Sequence, residues 1–230
     1  MRQTRTWALS IALISVLGLL GASPARAQSI TANLTQSFQG SNTCSGCGPF
    51  GTVSVTSVTA NEVLVSLTLA QGEVFSFGGA GYPLLFDISG NPAITSFQMV
   101  SAPTNTPANG FTFSQAPPVI MADGTGTWND AVSCASCASG TSGNIYGTLS
   151  FYLTASSAIA PASFVQNANG LYFATDIGVP NGAGGFYTGD VGATSVSSVP
   201  EAASGYLLGI ALISLGLIRR RQKANDSLAA

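Results

Sequence analysis

Short runs of β-forming residues, separated by turn-forming Gly, Asn and Pro, fill the middle of this chain and constrain its fold more than any other feature. In residues 62–69 valine and leucine recur at every second position, a period that is typical of a strand. Ala60-Asn61 separates this run from one at 52–58 and favours a tight hairpin. Further runs lie at 84–88, 94–100, 145–154 and 171–177. With no amphipathic helical pattern between them, the sequence predicts an all-β domain, an antiparallel β-sandwich of jelly-roll type.

The middle of the chain also lacks basic side chains. All 7 Lys and Arg residues lie near its two ends, there is no His, and residues 28–198 carry only acidic charges. Nucleic-acid binding needs Lys or Arg, and serine or cysteine hydrolases need a His or Lys base. Histidine-ligated metal sites are excluded for the same reason. The sequence therefore predicts a non-enzymatic domain with no cofactor, no metal and no nucleic-acid partner.

The N-terminus has the three parts of a secretory signal peptide. Arg2 and Arg5 give a positive start, residues 7–20 are apolar, and Ala25-Arg26-Ala27 offers small residues at the positions that a signal peptidase reads. The apolar run is short for a bilayer span, which disfavours a retained anchor. We therefore expect export and cleavage directly after this sequence, leaving Gln28 as the first residue.

A second apolar stretch, residues 202–218, is followed at once by Arg219, Arg220 and Arg221. At about 1.5 Å per residue, a helix of this length crosses most of a hydrocarbon core. Basic residues stay on the cytoplasmic side, so the Arg cluster would act as a membrane stop and leave the β domain outside the inner membrane. The sequence thus divides into a signal peptide at 1–27, an ectodomain at 28–196 and a C-terminal segment at 197–224 that contains the transmembrane helix.

The motif Val199, Pro200 and Glu201, followed by one apolar helix, an Arg cluster and a short tail, resembles the PEP-CTERM sorting signal. Ala202 stands where the family usually has a second proline. The resemblance implies processing by an exosortase, which would cut near the motif and pass the ectodomain to the cell surface or the extracellular polysaccharide. Proline and the residue before it disfavour helix, so an extended segment is expected there. An ordinary single-pass anchor that is never cut is the alternative.

Four segments of the ectodomain, taken in order, are similar to those of an uncharacterised group of PEP-CTERM surface proteins. They are residues 85–94, 123–126, 134–137 and 171–177. The similarity covers most of the mature domain and implies a shared fold. The similarity implies no particular function, because the group is uncharacterised. We expect the ectodomain to be structural or adhesive.

The cysteines form two close pairs, Cys44 with Cys47 and Cys134 with Cys137. Export to an oxidising compartment favours disulfides over a zinc site with four thiolates or a redox-active dithiol. Local bridges within each pair are favoured, and cross-pairing is the alternative. A bridge across so few residues removes little chain entropy, so each is expected to add modestly to stability.

Trp128 lies between two acids, Asp123 and Asp130, and is the candidate glycan contact of the chain. Aromatic faces suit the apolar faces of sugars, and glycoside hydrolysis needs a pair of carboxylates. Neither acid has a visible catalytic partner, and turn chemistry alone explains Asp123-Gly124 and Asn129-Asp130. A core or rim position is the alternative for Trp128. A carbohydrate-binding module of the exopolysaccharide matrix is therefore the second functional hypothesis.

Overall fold

Antiparallel β-strands make up nearly all of the regular structure of this chain. The computed structural model describes residues 29–38, 48–77, 82–107, 109–122 and 124–199. Within these ranges there is no α-helix, and the predicted all-β class is confirmed. Residues 27–199 form a compact unit of their own.

Several predicted features lie outside the described residues. These are the signal peptide at 1–27, the transmembrane helix at 202–218, Cys44, Cys47, Asp123, Pro200, Glu201 and the cluster Arg219, Arg220 and Arg221. In the part of the chain that is described, no helix has the length and apolar character to cross a membrane.

Fifteen strands follow one another along the described residues. They are β1 (Ser29–Leu34), β2 (Gln36–Ser37), β3 (Gly51–Thr59), β4 (Glu62–Leu69), β5 (Val74–Phe77), β6 (Leu84–Ile88), β7 (Ile94–Ser101), β8 (Phe111–Ala122), β9 (Gly126–Cys134), β10 (Gly140–Ile145), β11 (Thr148–Ala155), β12 (Phe164–Val165), β13 (Phe173–Pro180), β14 (Phe186–Ala193) and β15 (Ser197–Val199). A single 3₁₀ turn among these residues, Pro161–Ser163, precedes β12.

The first sheet has six antiparallel strands in the order β15-β1-β3-β4-β11-β7. The hairpin between β3 and β4 turns at Ala60-Asn61, with Thr59 opposite Glu62, as the sequence predicts. In β4 every second residue is buried, and the residues between them are partly or fully exposed. This alternation is typical of a sheet with one face on the core and the other toward solvent.

The second sheet has nine antiparallel strands. Its main path is β10-β5-β13-β6-β9-β8, with β14 beside β13, β2 beside β14 and β12 beside β6. All five residues of β6, from Leu84 to Ile88, are buried. Strands that are covered on both faces carry apolar residues at consecutive positions rather than at alternating ones. Both faces of this sheet are therefore packed where β6 runs.

Two hydrophobic clusters lie on opposite sides of β6. The main core includes residues of both sheets, and Phe86 of β6 stacks on Phe151 of β11 with ring centroids 6.5 Å apart. The smaller cluster contains Leu85, Trp128 and Ala174. Successive residues of a strand point to opposite faces, so Leu85 and Phe86 pack into different clusters.

Candidate functional site

Trp128 lies in β9, opposite Ile120 of β8, and belongs to the smaller hydrophobic cluster. Only 1% of the residue is exposed. Its indole N–H donates a hydrogen bond of 3.2 Å to the hydroxyl oxygen of Thr125, which is itself buried. A ring at this depth offers no face to a sugar. The expectation of a glycan contact at Trp128 is corrected accordingly, and the core position is the one observed.

Asp130, two residues after this tryptophan, bonds to the strand that carries Asp87 and not to a residue near it in sequence. The two aspartates lie on the paired strands β9 and β6. One carboxylate oxygen of Asp130 accepts from the backbone N–H of Ile88 at 3.2 Å, and the other accepts from the Gln115 amide at 3.1 Å. Asp87 accepts from the backbone N–H of Asn129 at 2.6 Å. The pair thus ties β6 to β9 and, through Gln115, to β8.

Burial is the main influence on the titration of both groups. It raises the pKa of Asp130 to about 7, against the hydrogen bonds from Gln115 and Ile88, and the Asp87 charge adds to the increase. Burial also raises the pKa of Asp87, against the hydrogen bond from Asn129. A carboxyl group with a pKa near neutrality suits proton transfer, but Asp130 has no exposed surface. A substrate has no access to it, and the arrangement serves the fold.

A second pair of acids, Asp176 of β13 and Asp190 of β14, is directly opposite in the antiparallel register. Directly opposed side chains lie on the same face of a sheet. Burial raises the pKa of Asp176 to about 6, and a hydrogen bond with Ser76 opposes the increase. Calcium takes six to eight oxygen ligands. The described residues contain no group of three or more His, Cys, Asp or Glu that could hold a metal ion.

A surface cleft of about 510 Å³ lies between two connections that pass from one sheet to the other. The first is the turn at 70–73, which joins β4 to β5, and the second is Tyr146-Gly147, which joins β10 to β11. Leu69 and Val74, at the ends of their strands, also line the cleft and are buried. Apolar walls, a half-exposed tyrosine and the polar groups of two turns therefore surround one space.

Glu73 is the carboxylate among the described residues that line this cleft. It is 8% exposed, and its Oε2 atom is buried without a hydrogen-bond partner. Burial raises its pKa to about 7. An unpartnered buried polar group destabilises a fold, so the stability of the domain does not explain this side chain. Glu73 was not among the site residues predicted from the sequence; the signal that could have found it is a lone acid directly before the strand-forming run 74–77.

Cys134 and Cys137 form a disulfide, with Cα atoms 5.4 Å apart. Cys134 is the last residue of β9 and lies opposite Phe111 of β8. The observed bridge agrees with the local pairing that the sequence favours. It leaves neither of these two cysteines for cross-pairing or for zinc, which binds thiolates.

Val199, the described residue of the predicted sorting motif, is the last residue of β15 and is exposed. It is paired with Ser29, the first residue of β1. Because the two strands are antiparallel, the chain enters and leaves this unit side by side, at one end of the first sheet.

No protein-family model matches the chain, and neither a curated protein nor a solved structure is significantly similar to it. Of the predicted site residues, Cys134 and Cys137 are brought together, Trp128 is buried in a core, and Val199 lies at a sheet edge.

Proposed function

We propose that this chain is an exported structural protein of the cell surface or extracellular matrix, sorted by an exosortase through its C-terminal signal. The predicted signal peptide and the motif at 199–201, followed by the apolar segment and the Arg cluster, support this assignment. Before processing, the helix at 202–218 would hold the chain in the inner membrane with the ectodomain outside.

The structural observation that supports processing near the motif is the position of β15. This strand has three exposed residues, lies at the edge of its sheet and, among the described strands, is paired with β1 alone. Peptides are commonly bound in extended conformation, through main-chain hydrogen bonds. So short an edge strand has few hydrogen bonds to break. An enzyme could draw the segment before Pro200 into its site without opening the core.

For the ectodomain we propose a β-sandwich of jelly-roll type, flanked by the signal peptide and the transmembrane helix. Two antiparallel sheets that share one hydrophobic core support this arrangement, as does the stacking of Phe86 on Phe151 across the two sheets. Such a domain suits a structural or adhesive role.

The proposal includes no catalytic activity. Residues 28–198 contain no Lys, Arg or His to act as a base. Asp87 and Asp130 are buried and are engaged by hydrogen bonds of the strands around them. Cys134 and Cys137 are oxidised. These observations support a binding or structural role over hydrolysis.

Intact mass of the protein recovered from its native host tests the sorting proposal. We expect a mature form that begins at Gln28 and ends near Pro200. A Glu201→Ala variant should retain the C-terminal segment, and the matched control Ser198→Ala should be processed as the wild type is. A wild-type mass that still includes the Arg cluster would identify an ordinary membrane anchor and overturn the proposal.

A further inference from the structure

We propose that the cleft around Glu73 and Tyr146 binds a neutral sugar residue of a polysaccharide. This inference deepens the proposed matrix function and rests on it for the biological source of the sugar. The site itself follows from the shape of the cleft, the unpartnered carboxylate within it and the charges of the domain.

The dimensions and walls of the cleft suit a small ring-shaped ligand. Its volume of about 510 Å³ lies within the range of roughly 300–1,000 Å³ that is usual for small-molecule sites. Leu69 and Val74 provide buried apolar surface, and Tyr146 is 51% exposed. An aromatic ring with an apolar face and a polar hydroxyl matches a pyranose, which has apolar C–H faces and polar edges.

Glu73 supplies the polar contact that a sugar requires. Its Oε2 atom has no partner in the protein, although the residue is 8% exposed. A sugar hydroxyl can donate to a carboxylate oxygen, and it can also accept from a protonated carboxyl group. Rotation of the carboxyl group would bring Oε2 to the cleft, where either bond would satisfy an atom whose burial otherwise costs stability.

The backbone on both sides of the cleft is fixed before a ligand arrives. The N–H of Glu73 donates to the carbonyl of Ala70 at 3.2 Å and closes the first turn. The carbonyl of Tyr146 accepts from both the N–H and the hydroxyl of Thr104, each at 2.9 Å. A rigid site loses less conformational entropy when it binds a ligand.

Each of the two turns has a glycine at the cleft, Gly147 in one and Gly72 in the other. Their φ angles are 106° and 89°, which lie in the region that favours glycine. Without a Cβ atom, the backbone of each turn can be approached closely by a ligand. Main-chain N–H and C=O groups are thus within reach of ring hydroxyls at the rim.

The charges of the domain select a neutral ligand. Residues 28–198 contain no Lys, Arg or His, so phosphate, sulfate or uronate groups would meet no cationic partner. A calcium ion takes six to eight oxygens, and Glu73 is the carboxylate that the described lining offers. Burial raises the pKa of Glu73 to about 7, which favours a neutral partner over an ammonium group.

Saturation-transfer NMR and titration of the full-length chain test this site. The chain is held in a polyoxyethylene detergent, whose headgroup is neither a sugar nor a cation. The probes are the methyl glycosides of glucose, galactose, mannose and N-acetylglucosamine, with methylammonium and calcium chloride as competitors. The cleft variants are Glu73→Leu and Tyr146→Ala. Their matched controls are Glu62→Gln, an acid at the start of β4, and Tyr187→Ala, a 39% exposed tyrosine of β14.

We expect at least one glycoside to saturate the wild type. Its dissociation constant should rise at least tenfold in both cleft variants and stay unchanged in both controls. Glu73→Leu should also raise the melting temperature, because it removes an unpartnered buried carboxyl group. A purely structural role for Glu73 predicts the opposite change, so loss of binding through misfolding is recognised directly.

Three results would overturn the sugar site: no glycoside saturates, both cleft variants bind as the wild type does, or methylammonium or calcium displaces the glycoside. The sorting proposal is judged separately. A host protein that ends near Pro200 while no glycoside binds would leave sorting in place and remove the sugar site.

Discussion

Asp87 and Asp130 brace each other's strands, since each carboxylate accepts a hydrogen bond from the backbone N–H beside the other aspartate. The donor to Asp130 is Ile88, which follows Asp87, and the donor to Asp87 is Asn129, which precedes Asp130. The register of β8 against β9 shifts directly after Gln115, whose amide also donates to Asp130. The two buried acids thus extend the contact between β6 and β9 beyond the last pair of their ladder, Phe86 with Asp130.

Replacement of Asp130 by alanine is expected to lower the free energy of unfolding by about 2–3 kcal/mol, because it leaves the buried Ile88 N–H without an acceptor and removes one of the two acceptors of the Gln115 amide. Urea unfolding of residues 28–199 at pH 6 measures the change. The control is Asn33→Ala, which removes an exposed hydrogen bond from the Thr52 hydroxyl and should cost less than about 0.5 kcal/mol. Equal effects of the two substitutions would contradict the bracing role.

The free energy of unfolding is expected to fall as the pH rises from about 4 to about 7. Burial raises the pKa of Asp130 and Glu73 to about 7 and that of Asp176 to about 6, all above their ordinary values of 3.8 or 4.5. In this window the folded state holds protons that the unfolded chain releases. The stabilisation is complete below the unfolded pKa values and is lost as the pH passes the folded ones.

Each proton held only by the folded state changes stability by about 1.4 kcal/mol per pH unit. Urea unfolding across this pH range measures the slope, and Glu73→Gln should make it shallower. No His, Lys or Arg within residues 28–198 adds an opposing titration. Stability that is flat or rises between pH 4 and pH 7 would refute the prediction.

Three strands of the first sheet could be predicted because their pattern is local, whereas β1 and β15 were not predicted. The runs at 52–58, 62–69 and 94–100 fall within β3, β4 and β7. In β3 and β4 one face is buried and the other is more exposed, whereas the residues of β7, at the sheet edge, are partly buried or exposed. A run predicted at 145–154 was only partly right. Gly147, with φ at 106°, separates β10 from β11 at this point, so the two ends of the run belong to different sheets.

The smaller hydrophobic cluster and the acid pairs could not be predicted, because they depend on contacts between distant strands. Trp128 stands among Asn and Asp in the sequence, but Leu171 and Ala174, more than forty residues away, belong to the cluster that buries it. Asp130 likewise accepts a hydrogen bond from Ile88 of β6, and this partner is distant from Trp128 in sequence. The role of Glu73 depends on Tyr146, which the fold alone brings to the same cleft.

Strand β15 is expected to contribute little to stability, in keeping with its place next to the predicted sorting motif. A proline at Ser198 removes at most one N–H donor from an exposed edge strand and should cost less than about 1 kcal/mol. The matched change Ser54→Pro lies in β3, which is paired on both edges, and should cost more than about 3 kcal/mol. The urea midpoints of the two variants, each compared with that of the wild type, measure the two losses of stability. Equal damage would show that β15 is an integral strand.

Trp128 is expected to act on stability and not on ligand binding. Trp128→Ala removes a residue that is 1% exposed and leaves a cavity beside Ile120, so the free energy of unfolding should fall by about 3–5 kcal/mol. Trp128→Phe keeps most of the ring volume but loses the donor to Thr125, and should cost roughly half as much. Urea unfolding gives both values. Loss of glycoside binding by a Trp128→Phe variant that folds as the wild type does would contradict this prediction. The indole would then take part in recognition, and its burial in the core cluster would describe only one state of the protein.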